Sequence, residues 1–211
     1  EKASKWPDYT MLNSFLGDFN INLERINYPN EKINNYQKRE AEAIFHKLVK
    51  NLETNSDGVL VYEFENKEPN LLDDLTLKSY PDFGLYLYKS NNLYLSIRCW
   101  PGKKPFHTGH MHLDQLTIDL TINGKEIISD PGSYIYTPLP SHRWDYSSAE
   151  AHFSPFKSPR AQLFDIEDIF SSITLLPLKP IYFGSNGFLV KKIINNSECY
   201  YLVHLQENKV K

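Results

Sequence analysis

The stretch Gly109-His110-Met111-His112-Leu113-Asp114-Gln115-Leu116-Thr117-Ile118-Asp119-Leu120-Thr121-Ile122 carries the alternation that sets the fold. Successive side chains of a strand point to opposite faces. Leu116, Ile118, Leu120 and Ile122 then share one face, and Gln115, Thr117, Asp119 and Thr121 the other. The even face is expected to be buried and the odd face solvated. Carried backwards in the same register, His110, His112 and Asp114 fall on the apolar face, where the strand enters the sheet. Two imidazoles and a carboxylate there need partners, because an unpaired buried polar group costs about 1–3 kcal/mol. Either a bound metal ion or hydrogen bonds within a histidine cluster that caps the core supplies them.

Asn123-Gly124 reverses the chain, and Lys125 to Ser129 returns it. Two registers are open. A two-residue type I′ turn pairs Ile122 with Lys125 and puts Asp130 on the wet face. A three-residue loop with Gly124 left-handed pairs Thr121 with Lys125, places Ile128 opposite Ile118, and puts Asp130 on the histidine face. The second buries Ile128 and is the preferred expectation. His112 and Leu116 would still be about 13 Å apart along a strand. Asp130 therefore meets His112 only where the chain bends, and Pro131-Gly132 supplies a break. For a zinc ion, the candidate ligands are His112, Asp130 and a third group from a distance, with His107, His142 and His152 nearby in sequence.

Around this hairpin the pattern is strand after strand. Residues 84–89 and 93–99 flank Ser90-Asn91-Asn92 as a hairpin, and further strands are expected at 161–165, 181–184, 187–194 and 199–206. Short turns between them argue for an antiparallel β-sandwich, mostly β, and against a βαβ fold. Before it, Asn35 to Leu52 reads as a helix, with Ile44, Phe45, Leu48, Val49 and Leu52 as its packing stripe. Gly58 to Phe64 reads as a short strand, and residues 65–79 as a charged linker.

Fourteen Tyr, 12 Phe and 3 Trp suit β-rich structure. A net charge of −3 creates no field that would recruit nucleic acid. No run of about 18 apolar residues exists, so no membrane span is expected. The chain begins at Glu1 without a signal peptide, as expected of a processed piece. Cys99 and Cys199 leave a disulfide open.

The segments His110-Met111-His112-Leu113-Asp114-Gln115-Leu116, Asn123-Gly124, Asp130-Pro131-Gly132-Ser133-Tyr134-Ile135-Tyr136 and Ala151-His152 occur in that order. Together they resemble the C-terminal β-domain of heparinase II/III-like polysaccharide lyases, a family that includes oligoalginate lyases. The resemblance covers residues 80–155. It implies an N-terminal (α/α) toroid joined to a C-terminal antiparallel sandwich, and cleavage of uronate-containing polysaccharides, such as glycosaminoglycans or alginate, by β-elimination. It further implies zinc held by His112, Asp130 and His152, with His110 facing the cleft. The family's usual Arg-Ser-Thr and Ala-His-Asn read Ser147-Ser148-Ala149 and Ala151-His152-Phe153 here. On this reading residues 1–75 are the helical tail of the toroid plus a linker, and 76–211 are the sandwich. Family members are mostly exported, which implies a periplasmic or secreted protein.

β-Elimination needs a base for the proton beside the uronate carboxylate, neutralisation of that carboxylate, and an acid for the leaving oxygen. His110 and Tyr146 are the candidate catalytic groups. Tyr134 and Arg143 are candidates for binding substrate, Arg143 through a bidentate grip on a carboxylate. The alternative is a non-catalytic, metal-stabilised carbohydrate-binding or structural sandwich of a polysaccharide-assembly protein.

Overall fold

A computed structural model describes residues 35–54, 59–101, 112–133, 138–156, 178–194 and 197–211. The chain divides into two compact units, 1–38 and 39–211, and the β-fold lies in the second. The strands are β1 (Phe64–Glu65), β2 (Thr76–Tyr80), β3 (Leu85–Lys89), β4 (Leu93–Arg98), β5 (Ile118–Ile122), β6 (Lys125–Ile128), β7 (Pro180–Gly184), β8 (Gly187–Ile194), β9 (Ser197–Gln206) and β10 (Lys209–Val210). Helix α1 spans Asn35–Thr54 and helix α2 spans Pro140–Ser147. Two five-stranded sheets result, one ordered β2-β3-β4-β5-β6 and the other β1-β10-β9-β8-β7. Every pairing is antiparallel. The expected strand at 161–165 lies outside the described residues.

Alternation builds the core. Leu95, Ile97 and Leu120 of the first sheet and Phe188, Val190, Val203 and Leu205 of the second are buried in one cluster. Tyr88 is fully buried and donates its hydroxyl to the Gly187 carbonyl at 2.6 Å, so its one polar atom is satisfied across the sheets. Burying a side chain of this size contributes about 1.5–3 kcal/mol. Cys99 is buried and Cys199 exposed, and both are free thiols.

Helix α1 follows its expected stripe. Phe45 is fully buried. It stacks on Tyr182 at 4.5 Å and meets the edge of His204 at 6.0 Å. The helix thus packs on the second sheet of this same chain. Gly187 permits the approach, because a Cβ there would stand 2.0 Å from the Val203 carbonyl and 2.8 Å from the Phe45 ring.

The sandwich also begins earlier than position 76. Phe64 and Glu65 pair with Val210 and Lys209, and Leu71 is fully buried in the core. The stretch read as a linker over 65–79 therefore holds most of β2 and the core side chain Leu71, with Leu72, Leu75 and Leu77 packed against the core, since the interleaved charges Asp73 and Asp74 mask the apolar pattern. The short strand expected over 58–64 is confined to Phe64–Glu65.

The β5–β6 hairpin takes the register that was not preferred. Asn123 and Gly124 have φ of 52° and 73°, the left-handed pair of a type I′ turn, and Ile122 faces Lys125. Ile128 reaches the core side all the same. A bulge after Glu126 sets Ile128 opposite Leu120, not Ile118, and leaves Ile127 39 % exposed. One extra residue in the ladder does what the longer turn would have done.

Candidate functional site

The strand carrying the opening alternation starts only at Ile118. Leu116 has a φ of 59°, and the Thr117 amide closes a turn on the Asp114 carbonyl at 3.2 Å. Pairing with β4 survives this break. The Leu116 amide donates to the Arg98 carbonyl at 2.7 Å, and the Arg98 amide donates to the Thr117 carbonyl at 3.0 Å. One step further, the Gln115 side chain replaces the backbone. Its Oε1 accepts from the Trp100 amide at 2.7 Å and its Nε2 donates to the Trp100 carbonyl at 3.0 Å. The expectation that His112 and Asp114 continue the apolar face of a strand is therefore corrected. A side-chain amide can meet the neighbour's pairing needs, so the backbone is free to leave the sheet.

The departing segment crosses to the outer side of the first sheet. There β5 presents Asp119, whose neighbours Ile118 and Leu120 point into the core. Asp119 Oδ1 accepts the Asp130 amide at 2.9 Å, and Oδ2 accepts the Ser96 hydroxyl at 2.7 Å. Asp130 Oδ1 accepts the Gly132 amide at 2.7 Å, an Asx turn that closes the Asp-Pro-Gly break. Helix α2 starts at Pro140, where a missing amide costs nothing. After it the chain turns tightly, the Ala151 and His152 amides donating to the Ser148 and Ala149 carbonyls at 3.3 Å. Ser154 then donates to the Gln115 carbonyl at 2.9 Å, and the Leu113 amide to the Ser147 carbonyl at 2.8 Å. These bonds hold the His152 turn against the His112 segment.

His152 Nδ1 lies 3.0 Å from Asp130 Oδ2, with the histidine side chain 0 % exposed and the aspartate side chain 41 % exposed. The rings of His112 and His152 are 5.2 Å apart. Both nitrogens of His152 are buried and make no hydrogen bond among the described residues. Asp114 pairs with Arg98 Nε at 3.6 Å, while its Oδ1 and the Trp144 Nε1 are buried without hydrogen bonds among the described residues.

The electrostatics are those of a crowded, partly dry site. Burial pushes His112 below its ordinary value, and the nearby His152 and Arg143 push it the same way against Asp130. His112 is thus neutral at neutral pH, the form that ligates metals. Burial raises the Asp130 carboxyl, but His152, the Gly132 amide and His112 together outweigh it and hold it low. Burial raises Asp114, with Arg98 opposing.

His112, Asp130 and His152 are thus brought together, and two imidazoles with a carboxylate are a zinc donor set. Two ligands about 2.1 Å from a tetrahedral zinc stand about 3.4 Å apart, close to the 3.0 Å between His152 and Asp130. The His152 nitrogens make no hydrogen bond among the described residues, which suits a metal ligand. Among the described residues no group of three or more His, Cys, Asp or Glu side chains is arranged so as to hold a metal ion.

The other candidates are dispersed. Arg143 is only 4 % exposed, in α2, with its charge felt at His112. Tyr146 is half-buried on the same helix. His142 is exposed, 3.8 Å from Asp145, and outside the cluster. His110, Tyr134 and His107 lie outside the described residues. Asp119, Ser96 and Gln115 went unrecognised as parts of the site. The available signal was Asp119 itself, a carboxylate in mid-strand.

Residues 73–152 match the family model Heparinase II/III-like, C-terminal. The match contains His112 and Asp130 and ends on His152. This part of the chain is therefore a heparinase II/III-like C-terminal domain, a domain related to polysaccharide lyases. Comparison with curated proteins and with solved structures returned no match. Among the described residues no helix is long and apolar enough to cross a membrane.

Proposed function

We propose that this chain is the β-sandwich part of a periplasmic or secreted lyase that cleaves uronate-containing polysaccharide by β-elimination. The observation that carries the proposal is the meeting of His112, Asp130 and His152 within the matched stretch, with both His152 nitrogens buried and without hydrogen bonds among the described residues. These three residues would hold a zinc ion, which would supply a fixed positive centre that ties three separate segments together. His110, two residues before His112, is assigned the face of the cleft, where a histidine near neutrality takes the proton beside the carboxylate or steadies the charge that develops. Tyr146 is assigned proton transfer to the leaving oxygen. Tyr134 and Arg143 are assigned to substrate. The group that neutralises the uronate carboxylate is assigned to a helical toroid N-terminal to the sandwich, so the chain alone is expected to be inactive.

The test is zinc content by elemental analysis of wild type and single variants. About one zinc per chain is expected for a site of this type. His112→Ala should lose it, with a lower melting temperature, and His110→Ala should keep both. Wild-type protein free of zinc would overturn the metal assignment and favour a non-catalytic sandwich. Equal loss in His110→Ala would overturn the division of roles. Cleavage is read separately, by ultraviolet absorbance of the unsaturated uronate end when the sandwich is joined to its helical domain.

A further inference from the structure

We propose that Asp119 is a positioning residue for the Asp130–His152 pair, acting through the Asp130 backbone; this rests on reading that pair as part of the functional site. Three of the four carboxylate oxygens of the two aspartates accept hydrogen bonds, and the fourth faces His152. Asp119 Oδ2 accepts the Ser96 hydroxyl from β4 at 2.7 Å, and Oδ1 accepts the Asp130 amide at 2.9 Å. Asp130 Oδ1 accepts the Gly132 amide at 2.7 Å, which leaves Oδ2 pointing at His152 Nδ1, 3.0 Å away. The relay starts on β5, which pairs with β4 on one side and β6 on the other. It ends on a loop residue whose aim depends on where its backbone is held.

The strand has no need of a charge at this position. Thr121, the next outward residue, shows what pairing and half-burial require. Ser96 faces Asp119 in the β4–β5 ladder, and no lysine or arginine forms an ion pair with Asp119 among the described residues. A half-buried carboxylate without a cation is costly, and two aimed hydrogen bonds offset the cost. Those bonds fix the first residue of the Asp-Pro-Gly break, where Pro131 and a left-handed Gly132 with φ of 68° turn the chain out of the sheet. Outer partners of ligands are where loss of aim is felt, typically as 10–100-fold in metal affinity.

The experiment compares Asp119→Ala, Asp119→Asn, Ser96→Ala and Thr121→Ala. It reads zinc affinity by chelator competition and the ring ¹⁵N shifts of His152 in zinc-free protein. Asp119→Ala should weaken zinc by about 10–100-fold and shift the His152 nitrogens. Asp119→Asn keeps an oxygen for the Asp130 amide and should restore most of both, and Thr121→Ala should change neither. Wild-type zinc affinity and unmoved His152 signals in Asp119→Ala would overturn the proposal, as would a loss in Asp119→Asn equal to that in Asp119→Ala. Should Asp119→Ala not fold, Ser96→Ala carries the test, with a smaller zinc loss expected and none overturning the proposal. Should wild type take up no zinc, the metal assignment fails by itself, and the His152 shifts still decide the role of Asp119.

Discussion

Ile118–Ile122 and His112–Thr117 are neighbouring stretches written in the same alternation, yet only the first is a strand. In the first, Ile118, Leu120 and Ile122 are buried against the second sheet while Asp119 and Thr121 face outward. In the second, Leu116 keeps its side chain in the core but turns its backbone left-handed. The residues before it pass to the outer side and meet Asp130 and His152. Alternation reports where apolar side chains must go. It does not report whether the backbone between them is extended, because a side chain such as Gln115 can take over a pairing duty.

The largest effect should separate the two faces of β5. Leu120 is fully buried, so Leu120→Ala is expected to cost about 2–5 kcal/mol in chemical denaturation. Thr121→Ala, one residue on, should stay within about 0.5 kcal/mol. Equal losses would break the assignment of inner and outer faces.

A smaller effect should sharpen the account of the break. Gln115→Ala leaves the Trp100 amide and carbonyl without their side-chain partner, at a cost of about 1–3 kcal/mol. Hydrogen exchange at the Trp100 amide should quicken while the β3–β4 amides stay protected. Unchanged exchange at Trp100 would mean that the clamp does not hold the departing segment.

The smallest effect lies at the exposed Glu63, just before β1. Lys211 and Lys209 hydrogen-bond Glu63 and hold its carboxyl below the ordinary 4.5. A depressed carboxylate contributes stability above its unfolded value and loses it as pH falls through the folded one. Wild type and Glu63→Gln should therefore differ at pH 7 and converge in melting temperature below the folded value. A gap that widens on acidification would reverse the sign and remove this pair from the account.

Much of the fold was legible. The helix over 35–52, the 84–99 hairpin and the late strands at 181–184, 187–194 and 199–206 follow from periodicity and turn residues, and the described structure has them. Leu71 and β2 were not, because Leu71, Leu72, Leu75 and Leu77 are broken by Asp73-Asp74 and keep neither a two-residue nor a helical period over the whole stretch. The candidate site was legible as residue types in order. Its geometry was not, since the bend that closes the distance from Asp130 to His112 depends on Gln115 finding Trp100, fifteen residues earlier in the chain.

The sequence by itself determined a mostly β chain, the inner face of β5, a reversal at Asn123-Gly124, and the kinds of side chain that the site contains. These follow from local sterics and the two-residue period, which act between near neighbours. Only the tertiary structure decided the I′ register with its compensating bulge, the left-handed Leu116, and the passage of His112 to the outer face beside His152 and Asp130. Each of those depends on which distant donor meets which acceptor once the sheets have packed, and local pattern carries no record of that.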